Sequence, residues 1–98
     1  MIGLDVIGST NMEAAVTSSA AVFSPSLDGG WYQVAVWGGD VYVKIFAPGA
    51  AQAQFTKHAP LFAGNMETYY VPDGGFLGFR CRGGEPAATV EYIKVWNP

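Results

Sequence analysis

The stretch WYQVAVWGGDVYVKIF, Trp31 to Phe46, decides how this chain folds. Apolar residues alternate with mixed ones on both sides of Gly38–Gly39. That two-residue period is the mark of a β-strand, whose side chains point to opposite faces in turn. A glycine pair between two such runs predicts a hairpin, because both residues of a primed turn need positive φ. In that register Val36 faces Val41, Val34 faces Val43 and Tyr32 faces Ile45. Those six residues share one uniformly apolar face, the expected core. The other face carries Trp31 with Phe46, Gln33 with Lys44, Ala35 with Tyr42, and Trp37 with Asp40. It is aromatic with a polar pair at its middle. A small domain has one core, so the hairpin raises the question of what covers its second face.

Composition sharpens that question. The chain has 98 residues, one domain's worth, and half of them are hydrophobic. Only 13% are charged, against roughly 25% in an ordinary globular chain. Such a surface is either neutral and rich in Gly and Ala, or covered by protein. The net charge is −3 and the five basic residues are scattered. Nucleic-acid binding, which needs clustered Lys and Arg, is not expected. No apolar run approaches the ~20 residues of a membrane helix, so no membrane partner is expected. The start, MIGLDVIGST, lacks the basic flank of a signal peptide. A single cysteine, Cys81, has no internal disulfide partner. A cytosolic origin without covalent staples fits these features.

Thirteen glycines and six prolines punctuate the chain. Turn signals at 24–30, 38–40, 47–49, 63–65, 72–75 and 83–86 separate short runs rich in Val, Tyr, Phe, Trp and Ile. This spacing predicts an all-β fold, a single antiparallel sandwich of jelly-roll kind with about six to eight strands. Residues 11–21 read as a strand that runs on into Val22–Phe23, since Val16, Thr17 and two serines are poor helix formers. Residues 1–11 precede it as a candidate N-terminal arm. A second hairpin around GGEP would pair Cys81 with Ala88, Phe79 with Val90 and Leu77 with Tyr92, all inward. Arg80 and Glu91 would then be diagonal neighbours outside. Between the hairpins, residues 47–59 form a long, soft connection of the kind that is often functional. Phe55 stands alone in it, either a plug for the chain's own core or an anchor into a neighbour.

Catalytic chemistry finds little footing. His58 is the only histidine, and no nucleophile elbow accompanies it. Ser18, Ser19, Ser24 and Ser26 lie in a strand and a turn. One histidine and one cysteine without ligand spacing do not make a zinc site. The glycine pairs lack the P-loop pattern. Asp28, Asp40 and Asp73 adjoin glycines in turns, where carboxylates ordinarily bond their own backbone. No pair of carboxylates stands out for glycoside hydrolysis. Neither an enzyme nor a cofactor is expected. Trp31, Trp37, Trp96 and five tyrosines admit two binding readings. Rings can stack on sugars, which would make the chain a carbohydrate-binding module, but the polar side chains around them are few. Trp and Tyr are also the anchors of protein interfaces.

The order of elements resembles the small virion β-sandwich proteins of tailed bacteriophages. A Val-rich strand and WYQVAVWGGDVYVKIF are followed by an Ala-rich loop, then APLFAGNMETYYVPDGG, FLGFRCRGG and TVEYIKVW. The passage between the hairpins is carried by Pro60, Leu61, Gly64, Glu67, Tyr69, Val71, Pro72 and Gly74. The resemblance covers residues 12–96 and is one of strands and turns. Trp31 and Trp37 depart from it, standing where plainer residues are expected. It implies a structural protein of the virion, assembled in the bacterial cytoplasm. The role implied is a capsid decoration or cement protein. A head-to-tail connector or a tail or baseplate component is the alternative. The implied partners are the major capsid protein or another virion protein, together with further copies of the chain, a trimer among the options. The residues proposed to meet the partner are Trp31, Gln33, Trp37, Tyr42, Lys44, Phe46 and Phe55.

Overall fold

The computed structural model describes residues 12–17, 19–83 and 87–96. The candidate arm at residues 1–11 lies outside them. Among the described residues there are eight strands and no helix. They are β1 (Met12–Val16), β2 (Val22–Phe23), β3 (Gly30–Trp37), β4 (Val41–Phe46), β5 (Ala59–Leu61), β6 (Met66–Val71), β7 (Phe76–Cys81) and β8 (Ala88–Trp96).

Pairing follows a simple rule. β1 pairs with β8, β2 with β7, β3 with β6 and β4 with β5, all antiparallel. The chain is one long antiparallel ribbon, closed at the β4–β5 connection and rolled up. Rolling adds the β3–β8 and β4–β7 ladders. The result is two four-stranded sheets, β1-β8-β3-β6 and β2-β7-β4-β5. This is the jelly-roll order of an eight-stranded sandwich.

The topology corrects both expected hairpins. β3 and β4 lie in opposite sheets, so residues 38–40 form an arch across the sandwich. Gly38 takes the left-handed conformation the arch needs, at φ 86°. The Asp40 carboxylate secures it, accepting the Ala63 N–H at 2.8 Å and meeting the Arg82 guanidinium at 3.5 Å. β7 and β8 are likewise in opposite sheets. Phe79 and Tyr92 meet across the core, ring centroids 5.7 Å apart, instead of lying in neighbouring strands. Arg80 and Glu91 sit in different sheets, and Arg80 donates to the Phe55 carbonyl. The run expected as one strand over 11–23 is broken too. β1 belongs to the first sheet and β2 to the second.

The inward labels survive these corrections with one exception. Tyr32, Val34, Val36, Val41 and Val43 are buried, as are Leu77, Phe79, Cys81, Ala88, Val90 and Tyr92. They form a single core between the sheets. Ile45 is the exception at 40% exposed. It is the last inward position of β4, next to the strand's final residue Phe46. Its neighbour Phe46, expected on the open face, is 6% exposed and belongs to a second apolar cluster.

Candidate interaction face

The aromatic face read from Trp31 to Phe46 is two faces. Because β3 and β4 are in different sheets, their outward residues point to opposite sides of the sandwich. Tyr42, Lys44 and Phe46 lie outside the second sheet, and Trp31, Gln33, Ala35 and Trp37 outside the first.

The outside of the second sheet is sealed by the chain itself. The connection from 47 to 58 crosses it as a strap. Phe55 is its plug, 8% exposed, packed with Phe46, Phe76 and Ala21. Phe46 and Phe76 stack with centroids 4.7 Å apart and planes 4° from parallel. Phe23 meets both edge-on. Gly78 of β7 makes the room. A Cβ there would lie 2.8 Å from Phe46, 2.9 Å from Phe55 and 3.2 Å from Phe23. Polar contacts hold the strap down. The Gln54 amide accepts the Ala21 N–H at 2.7 Å and donates to the Ala21 carbonyl at 3.2 Å, as a neighbouring strand would. Arg80 donates to the Phe55 carbonyl at 3.1 Å. Nδ1 of His58 bonds the Val43 carbonyl at 2.9 Å. The Lys44 ammonium stands 5.0 Å from the Phe46 ring and 5.7 Å from the Phe55 ring. Lys44, Phe46 and Phe55, expected at a partner, are thus parts of a self-contact.

The outside of the first sheet has no such cover among the described residues. Register identifies its members, since residues directly opposite share a face. Trp31 is opposite Tyr70, Gln33 opposite Thr68, and Ala35 opposite Met66 on the β6 side. On the β8 side Gln33 is opposite Ile93, Ala35 opposite Glu91 and Trp37 opposite Thr89. Ala15 of β1 lies beyond Thr89. Trp31, Trp37, Met66 and Tyr70 are 38, 48, 60 and 41% exposed. At ~200 Å² for a full large side chain, that leaves roughly 400 Å² of mostly apolar surface. Trp31 and Tyr70 touch edge to face, centroids 5.4 Å apart and planes 65° from parallel.

Of the seven residues the sequence singles out, this face gathers Trp31, Gln33 and Trp37. It adds Met66 and Tyr70. The segment METYYV reads as a strand, but nothing local in it says that it lies beside β3. Among the described residues no three His, Cys, Asp or Glu side chains come together. Comparison with protein-family models, curated proteins and solved structures finds no match to this chain.

Proposed function

We propose that this chain is a structural assembly protein that engages other protein through the outer face of its first sheet, as a decoration or cement protein of a phage capsid does. The observation that carries this reading is the contrast between the two outer faces. One aromatic face is sealed by a strap, a plug and several polar ties. The other presents two tryptophans, a methionine and a tyrosine to solvent. Patches of that size on a monomer are usually functional. Covering ~400 Å² at ~25 cal/mol/Å² supplies ~10 kcal/mol gross, enough to exceed an association cost of several kcal/mol. Trp, Tyr and Met are what interfaces concentrate, and Gln33 and Thr68 at the middle supply orientation by hydrogen bonds. The eight-stranded jelly roll is an architecture that viral shell proteins share with lectins, which supports the setting by analogy of fold.

A sugar platform fits this face less well. Trp31 and Tyr70 are inclined to each other, so they offer no common plane for a pyranose chain. The test is binding of the purified chain to shells assembled from a tailed-phage major capsid protein, with a glycan array in parallel. The expected result is saturable binding to shells, lost in Trp31→Ala with Trp37→Ala, and no glycan ligand. A sugar bound at millimolar affinity or better, abolished by the same pair, would replace this reading.

A further inference from the structure

We propose that the chain dimerises through the edge of its first sheet: β6 pairs antiparallel with β6 of a second copy, about a two-fold axis that passes beside Thr68 perpendicular to the sheet. This pairing leaves the open face uncovered, so it goes beyond the docking reading and does not depend on it.

Of the sheet edges, β6 is the longest that the chain leaves unblocked. β2 is capped by the Gln54 amide. β5 has three residues, one of them Pro60. β1 has five and leads towards the second sheet, where the Thr17 carbonyl accepts the Cys81 N–H at 3.1 Å. β6 runs for six residues without proline or glycine. Register fixes which of its backbone groups face outward. Val36 and Asn65 continue the β3–β6 pairing by one step, and the Val36 N–H donates to the Asn65 carbonyl at 3.3 Å. Hydrogen-bonded and non-hydrogen-bonded pairs alternate along an antiparallel ladder. Glu67 and Tyr69 therefore bond β3, while Met66, Thr68 and Tyr70 turn their N–H and C=O groups away from it. Among the described residues no backbone group outside the strand ladders meets those three.

The outward groups are complementary to themselves. Centred on Thr68, the pairing sets Thr68 against Thr68 and Met66 against Tyr70, each pair exchanging two backbone bonds. An axis perpendicular to the sheet keeps outer residues with outer ones. Thr–Thr pairs are favourable neighbours across strands, as are a thioether and an aromatic ring. On the inner side Glu67 of each copy lies opposite Tyr69 of the other, a carboxylate beside a hydroxyl. A charge there turns away strands that would oppose it with an apolar side chain. Other registers are worse. Sliding two residues one way sets Glu67 against Glu67. Sliding two the other way sets Met66 against Pro72, which has no N–H to give. The dimer joins two four-stranded sheets into one continuous sheet. Self-complementary two-fold contacts of this kind are the commonest among oligomers. The two Glu67 remain diagonal neighbours, so their repulsion keeps the association reversible.

Sedimentation equilibrium and amide hydrogen exchange of the purified full chain, from micromolar to millimolar concentration, test this. The expected result is a monomer–dimer equilibrium in which the amides of Met66, Thr68 and Tyr70 gain protection as concentration rises. Those of Glu67 and Tyr69, bonded to β3, stay protected throughout. Thr68→Pro removes an outward N–H and no bond to β3, so it should abolish the dimer, whereas Glu67→Gln should tighten it severalfold. Trp37→Ala, on β3, should leave it unchanged. A chain that stays monomeric throughout, or a dimer that a folded Thr68→Pro variant retains, would overturn the edge pairing. So would a dimer in which the three outward amides exchange as fast as in the monomer, a readout that needs no variant to fold. A monomer that binds shells would overturn the pairing alone, and a Thr68-dependent dimer that binds none would uphold it and overturn the docking reading.

Discussion

Three phenylalanine rings occupy the space where a side chain at position 78 would stand. Gly78 is buried in β7, a strand with neighbours on both sides, so the backbone there has little freedom to yield. Gly78→Ala is expected to destabilise the fold by about 1–3 kcal/mol through overpacking. The same change in a Phe55→Ala background should cost clearly less, because one of the three rings is gone. Equal costs in the two backgrounds, measured by denaturant unfolding, would mean that the rings are not the obstacle. The tyrosines give a second test at this scale. Burial pushes the Tyr69 hydroxyl up to about 12 from an ordinary 10.0, and the Glu67 carboxylate adds to the effect. Burial also raises Tyr32, with Asp28 contributing, and Tyr92. Each holds its proton more tightly folded than unfolded. Their contribution is intact below pH ~10 and is lost as pH rises from there towards 12. Stability should fall over that window, with phenolate absorbance of these residues rising together with unfolding. Phenolates forming fully below pH 11 in a chain that stays folded would contradict the burial of these hydroxyls.

Among the elements, the strap and the arches explain what could be read in the sequence and what could not. Alternation labels a residue in or out, and that label is the same whether two strands pair side by side or face each other across a core. Val36 and Val41 point inward either way, so the core was legible from Tyr32 to Val43 and from Leu77 to Tyr92. The partner of a strand is set by contacts far away in the chain. The Gly38–Gly39 turn suits a hairpin locally, yet β3 pairs with β6 and β8. Alternation alone therefore does not separate the two outer faces. Sheet edges show the same limit. Pro60 in the three-residue β5 blunts one edge, and the Gln54 amide beside β2 caps another. Glu67 pairs in register with the core-facing Val34, putting a charge on the inner side of edge strand β6. None of these roles is visible before the strand order is known. The strap itself makes a prediction. Phe55→Ala removes its plug and should cost about 3 kcal/mol. It should also let trypsin cut at the exposed Lys57 well before the body of the chain unfolds. A variant as resistant as the parent at that bond would mean that the polar ties alone hold the strap.

At the level of the whole molecule, the roll of the ribbon gives the two outer faces different fates. The long connection closing β4 to β5 lies where it can fold over the second sheet, and it does. β3, β6 and β8 place their outward residues on the other side, beyond the strap. Among the described residues the first face is therefore open, and the second is covered by the chain's own strap. The decisive comparison is between two double variants, Trp31→Ala with Trp37→Ala, and Phe46→Ala with Phe55→Ala. Thermal unfolding and binding to capsid shells are measured on both. The first should melt within a few degrees of the parent and lose shell binding. The second should melt many degrees lower, since two large rings leave a packed cluster. A first variant that melts as low as the second, or that binds shells as the parent does, would contradict the assignment of the open face to a partner.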